Sequence, residues 1–263
     1  VRNIPLLLQL FFWYFAVLKT MPAVRDSIAL PYDVFINQRG IFVPKPLPNE
    51  AFSWVWMALL VGIVVAFIIR FWAKRRLEET GQRFPVVLSS IGVIVGVIVL
   101  AWVASGASVA FDPPVLNRFN FAGGLALPPE FVALFVGLSI YTAAFIAETV
   151  RGGILAVSHG QTEAAQALGL KEGDRLRLVI VPQAMRVIVP PLTSQYLNLT
   201  KNSSLGAAIG YPELVNVWAG TALNQTGRAI ECIAMAMAVY LCLSLLTSAI
   251  MNWYNARIAL VER

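Results

Sequence analysis

Residues 160–191 read GQTEAAQALGLKEGDRLRLVIVPQAMRVIVPP, a polar, charged, alanine-rich insert between two strongly apolar stretches. Ser158 and Gln161 have the S-x-x-Q spacing of a capping box. A short helix, QTEAAQAL, is expected to follow, with Gly169 placed to end it in a left-handed turn. A second short helix is expected from about Gly173 to Val181, stopping near Pro182, which cannot donate a backbone hydrogen bond. Ala164, Ala165 and Ala167 carry little bulk, so a groove on another protein can approach this backbone closely. Glu163 falls in the first turn, where a carboxylate suits the helix dipole and can also meet a basic partner. These local features fit a docking knob, and they fit equally well an ordinary loop helix that is alanine-rich because alanine favours helices.

The surroundings decide what solvent the insert interrupts. Of 263 residues, 58% are hydrophobic and 13% charged, and the mean hydropathy is +0.72. A soluble domain carries about 25% charged residues, so half that share points to a bilayer. In that setting the net charge of +6 reports lysine and arginine held on the cytoplasmic side, not nucleic acid. Cys232 and Cys242 lie in one apolar stretch without metal-like spacing and read as small hydrophobes. His159, the sole histidine, reads as a loop residue without metal-ligand neighbours.

Apolar runs suggest an all-α polytopic helical bundle with about six spans, because only helices satisfy every backbone group of such runs inside lipid. The expected spans are 1–18, 52–72, 86–104, 131–147, 187–209 and 230–250. The first is shorter than the roughly 20 residues a crossing needs, so a helix entered midway is expected, with one or more helices before it. If residues 70–83, which open with the cluster RFWAKRR, are cytoplasmic, strict alternation places 151–186 and the tail 251–263 on the same side. Those three segments hold twelve of the twenty Lys and Arg, consistent with the positive-inside bias. The opposite loops, 19–51 and 105–130, are rich in proline and aromatic residues and read as ordered lids or as passive connectors.

The spacing of the insert carries a family resemblance. Glu163-Ala164-Ala165, Gly169 three residues on, then Val179-x-Val181-Pro182, resembles the EAA loop of ABC-importer permeases, E-A-A-x3-G-x9-I-x-L-P, with two valines as conservative departures. AAFIAETVRGGILAV before it and PQAMRVIVPPLTSQYLNLTKNSSL after it resemble the polar and general L-amino acid branch, as do RNIPLLLQLFFWYF and MNWYNARIALVER. The resemblance covers about residues 1–20 and 125–263. Residues 50–105 add two helices that five-helix members of that branch lack.

The resemblance implies the type I importer fold in the bacterial inner membrane, with the EAA loop and C-terminus cytoplasmic. It makes Glu163, Ala164, Ala165, Gly169 and Pro182 an ATPase-coupling segment. The implied partners are a cytoplasmic ATPase dimer, a second permease chain in preference to a copy of this one, a periplasmic amino acid-binding protein and the amino acid itself. ATP and Mg would be held by the ATPase and no cofactor by this chain, which has no G-x-x-x-x-G-K-[ST] phosphate loop.

A substrate path is read from polarity. TSQYLNLTKNSSL is too polar to face lipid, and on a helix Gln195, Asn198 and Asn202 share a face, as do Ser194, Asn198 and Lys201. Polar groups in a span face the bundle interior or a wet cavity; hydrogen bonding to neighbouring helices accounts for them equally well. Lys201 also suits the membrane boundary. Tyr141 and Thr142 add polarity to the preceding span, and Glu148 reads as a structural acid near Arg151. No catalytic pairing of nucleophile and base and no metal-ligand set is found in the sequence. The alternative function is an ion-coupled secondary amino acid transporter or channel, which predicts inverted repeats and broken helices that the sequence does not display.

Overall fold

The computed structural model describes residues 2–82 and 84–258, so part of the C-terminal stretch MNWYNARIALVER lies outside the described residues. Among the described residues five helices are long and apolar enough to cross a membrane: Phe52–Thr80, Val86–Ser105, Pro129–Leu155, Glu172–Ile209 and Ala229–Arg257. A shorter apolar helix, Leu6–Leu18, precedes them. The chain divides into two compact units, each described by itself: residues 28–35 with 42–126, and the remainder.

The larger unit begins with α1 (Leu6–Phe11), which widens into a π turn to Leu18. Outside that unit lie α2 (Phe52–Thr80) and α3 (Val86–Ser105). The larger unit resumes with α4 (Pro129–Leu155), α5 (His159–Ala167) and α6 (Glu172–Arg175). A π turn, Leu176–Ile180, leads into α7 (Val181–Asn202), which tightens into a 3-10 turn over Ser203–Ile209. A π turn (Asn216–Ala222), α8 (Leu223–Thr226) and α9 (Ala229–Ile258) close the chain.

The core of this unit is aliphatic: Leu6, Leu10, Leu18, Ala133, Leu134, Leu138 and Ile209. Helices in lipid gain no hydrophobic drive from contact and associate by close packing, which favours small residues at their crossings. Two glycines of α4 supply those crossings. A methyl group at Gly137 would stand 2.6 Å from Leu10 Cδ2 of α1, and one at Gly153 would stand 2.2 Å from Ile188 Cγ1 of α7, with Ala184 O at 3.3 Å. Ala184 and Ile188 are themselves buried. Glu213 accepts hydrogen bonds from the amides of Val215 (2.8 Å) and Asn216 (2.7 Å) at the start of the following helical segment, and from the Tyr240 hydroxyl of α9 (3.3 Å).

Several element bounds differ from the sequence reading. The span expected over 52–72 runs on to Thr80, because no breaker intervenes before Gly81, which caps it at φ +68°. α4 starts with Pro129 in its first turn, where proline's fixed φ is helical, and passes through Gly152 and Gly153 to Leu155. α9 likewise extends past residue 250. Pro182 does not stop a helix. It lies in the first turn of α7, directly after the π turn, where its missing N–H has no partner to lose. The insert is therefore not a loop closed at 186: from Glu172 the chain is helical to Ile209.

In the smaller unit, α2 and α3 pack side by side, with Gly62 set against Ile94. The connecting stretches contain short strands: Lys45–Pro48 pairs antiparallel with Val109–Asp112, and Val115–Asn117 with Asn120–Ala122. Asn49 clasps the first pair, donating from Nδ2 to Gly106 O and accepting from the Ser108 amide, both at 3.2 Å. The Phe121 ring sits against Phe35 and Phe42 at centroid distances of 4.7 and 4.8 Å. Phe35, Phe42 and Phe121 thus form a small aromatic cluster, while Tyr32, Phe111 and Phe119 of the same stretches are exposed.

Replacing Gly153 with valine should force α4 and α7 apart and cost about 1–3 kcal/mol. The neighbouring Gly152 has no atom within 4 Å of an added methyl group, so Gly152→Val should retain most of the stability. Thermal unfolding of the two variants in mild detergent checks this; equal losses would contradict the assigned crossing.

Candidate functional site

Two features of the larger unit are built from the residues singled out above, and they lie on connected elements. The first is the turn that follows α5. Ser158 caps α5 in extended backbone, but without a side-chain bond; the Gln161 amide instead donates to Ser158 O at 3.1 Å. The expected capping box is therefore not formed, because the Gln161 side chain turns away and accepts a hydrogen bond from Gln183 Nε2 at 3.1 Å. That bond ties α5 to the first turn of α7.

At its other end α5 closes in a Schellman arrangement. The Leu170 amide donates to Ala165 O (3.1 Å) and the Gly169 amide to Gln166 O (2.9 Å), with Gly169 at φ +71°. Two orphan carbonyls are satisfied this way, and the left-handed residue between them favours glycine for want of a Cβ. Space around Gly169 is open, so conformation alone sets the requirement.

The alanines differ in orientation. Ala165 is 3% exposed and packs α5 inward, whereas Glu163, Ala164, Ala167 and Gly169 are exposed. Ala165 is thus a packing contact within the chain, and the surface open to another molecule is Glu163, Ala164, Ala167 and the Gly169 turn. His159 opens α5, where the sequence reading had a loop residue without an acidic neighbour. Its Nδ1 lies 3.0 Å from Glu163 Oε1, one turn on. Among the described residues no group of three or more His, Cys, Asp or Glu side chains is arranged to hold a metal ion. Pro182 is exposed at the base of α7.

The second feature is a polar cleft of about 240 Å³ between α4 and α7, lined by Tyr141, Thr142, Phe145, Gln195, Asn198, Leu199 and Asn202. Five of the six pathway residues read from sequence meet here. Lys201 does not: it is exposed, away from the cleft lining, in the last turn of α7, where a cation suits the negative end of the helix. Ser194 is likewise outside the lining. Phe145 and Leu199 complete the walls. Each lies one turn from a polar lining residue, so i, i+4 spacing from Tyr141 and Gln195 identifies both. The Tyr141 and Phe145 rings stand 4.9 Å apart. Glu148 is held by Arg151 Nε at 3.0 Å and approached by Arg2 at 3.7 Å, so it belongs to a surface ion cluster and not to the cleft.

The lining carries amide donors, amide acceptors and hydroxyls, and no formal charge. Such a set can hydrogen-bond a carboxylate and an ammonium group at once. Pockets for drug-sized ligands run to about 300–1,000 Å³, so this one suits a smaller solute. Nothing in it offers a nucleophile with an adjacent base.

Comparison with known proteins gives this geometry a family. Residues 58–260 match the family described as binding-protein-dependent transport system inner membrane component. The chain is 54% identical over 262 residues to the general L-amino acid transport system permease protein AapQ of Rhizobium johnstonii, covering 100% of this chain and 65% of that protein. It is 51% identical to the putative amino-acid ABC transporter permease protein YhdX of Escherichia coli, covering 100% and 67%. Against the glutamate/glutamine/aspartate/asparagine transport system permease protein BztB of Rhodobacter capsulatus it is 39% identical over 293 residues, covering 100% and 68%. The chain spans about two thirds of the length of these relatives. With its membrane-crossing helices, its α5 turn and a match across most of its length, the chain belongs to the family of binding-protein-dependent transport system inner membrane components.

Proposed function

We propose that this chain is a permease subunit of an ATP-driven amino acid importer in the bacterial inner membrane. The observation that carries the reading is the pairing of an exposed, rigidly capped turn with a polar cleft on the same helices. α5 leaves α4, turns at Gly169, and returns through α6 into α7; the cleft lies between α4 and α7. Asn198 sits sixteen residues beyond Pro182, about 24 Å along an α-helix. A push on the turn therefore reaches the cleft along one continuous helical segment, which carries Pro190 and Pro191 on the way. The three relatives, each named as an amino acid permease, support the substrate class.

In this reading a cytoplasmic ATPase dimer binds ATP and Mg, and one ATPase receives Glu163, Ala164 and the Gly169 turn in a groove. Closure of the ATPases drives the turn, α7 moves against α4 about the Gly153 crossing, and the cleft changes the side on which it opens. ATP hydrolysis belongs to the partner. The excess of lysine and arginine around 70–83, 151–186 and the C-terminus supports a cytoplasmic position for the turn. One chain lines the cleft from one side only, which supports a second, similar permease as the other wall. A periplasmic binding protein would deliver the amino acid to the opposite face. An ion-coupled carrier has no use for an exposed, capped turn built this way.

Three outcomes test the proposal. Reconstituted with its ATPase and binding protein, the chain should take up amino acid only with ATP; uptake by the chain alone, driven by an ion gradient, would reverse the assignment. Gly169→Val should strain the left-handed turn by about 1 kcal/mol or more and lower ATPase co-purification about fivefold or more. Gly169→Asn, which tolerates this backbone, should keep it; equal retention by both variants would count against the turn as the docking element. Asn198→Leu should cut transport about tenfold while leaving ATPase capture unchanged, since an unmet polar group costs roughly 1–3 kcal/mol. Normal uptake by that variant would remove the cleft from the pathway.

A further inference from the structure

The hairpin of α2 and α3 has a feature that transport does not use. α3 is uncharged from Val86 to Ser105, and none of its described residues is buried. α2 is uncharged from Phe52 to Ile69, eighteen residues or about 27 Å of helix, close to the roughly 30 Å of a bilayer's hydrocarbon. Arg70 is the first charge beyond that length, so it stands at headgroup depth. It rims a groove of about 340 Å³ between the two helices, whose walls include Ile63, Phe67, Val87, Ile91 and Ile94. Phe67 and Val87 are 69% and 74% exposed.

Four cations follow one another on this part of α2, and three have partners in the chain. Lys74 pairs with Glu78 at 3.9 Å. Arg75 lies over the Phe71 ring at 4.6 Å, and Arg76 lies over Trp72 at 5.3 Å and donates to Gln82 at 3.2 Å. Among the described residues Arg70 alone of the four has no hydrogen bond, ion pair or ring contact. Residues 70–80 carry four positive and two negative charges, so the local field favours an anion.

We propose that the α2–α3 groove holds one anionic phospholipid, with its phosphate on Arg70 and an acyl chain along Phe67, Ile91 and Ile94. A lipid tail gains little by leaving other tails for an apolar groove, so shape alone selects no occupant. The selection comes from the guanidinium, whose planar fork meets phosphate oxygens in pairs. The inference requires only that α2 and α3 lie in a bilayer, and it is independent of what the chain transports.

The test uses the whole chain in nanodiscs of equal parts phosphatidylglycerol and phosphatidylcholine, released and weighed by native mass spectrometry. One basic residue near an anionic surface accounts for about a fivefold preference. The native chain should retain phosphatidylglycerol over phosphatidylcholine by about that factor. Arg70→Gln should abolish the preference, whereas Lys74→Gln should keep it. Val87→Trp, which fills the groove without touching the charge, should lower retention and guards against loss of folding in the arginine variant. Added inorganic phosphate should displace nothing. Absence of a preference in the native chain, or the same loss from Lys74→Gln as from Arg70→Gln, would overturn the proposal.

Discussion

The contact of α4 with α7 at Gly153 is the interaction on which the described geometry of the larger unit depends. In hydrocarbon, apolar side chains are no better off against each other than against lipid, so helices stay together where backbones come close. At Gly153 the backbone lies where any Cβ would strike Ile188. The crossing lies just before α4 gives way to α5 and just after α7 resumes the chain. It stands between the Gly169 turn and the polar cleft, where the proposed mechanism needs a fulcrum. The Gln183–Gln161 bond braces the short arm, and the Gly137 contact with Leu10 braces α4 from the far side.

Much of this was legible in the residues. The left-handed φ of Gly169 follows from a glycine at the end of an alanine-rich run, because only the C′ position of a helix asks for it. The gathering of Tyr141, Thr142, Gln195, Asn198 and Asn202 follows from polarity inside otherwise apolar spans. Lys201 was grouped with them by spacing alone, and its place in the last turn of α7 shows that spacing admits two faces where a helix terminus selects one. The departures have one cause. Pro182 reads as punctuation in the sequence, yet it restarts a helix behind a π turn, and Gly153, which no sequence rule singles out, continues a helix to make a crossing. Sequence-local rules price these residues by backbone preference, while the fold uses them for what they lack: an N–H that needs no partner and a side chain that would collide. Ala165 teaches the same point, since small size served packing inside the chain where docking outside it was expected.

The smaller unit has a different logic. Its two helices pack along a seam of small α2 residues that includes Ala58 and Gly62, most of their remaining surface is exposed, and short paired strands and aromatic residues lie in the stretches that flank them. Two added crossings, an even number, are compatible with the cytoplasmic position proposed for the Gly169 turn.

In the proposed function the Gly169 turn is an exposed cytoplasmic lever engaged by an ATPase. The most direct test replaces Cys232 and Cys242, introduces cysteine at Ala164, and follows labelling by a membrane-impermeant thiol reagent. The account predicts no labelling in intact cells, labelling in inside-out vesicles stripped of the ATPase, and protection when the ATPase is restored. Labelling of intact cells, or labelling in the stripped vesicles that the restored ATPase leaves unchanged, would contradict it.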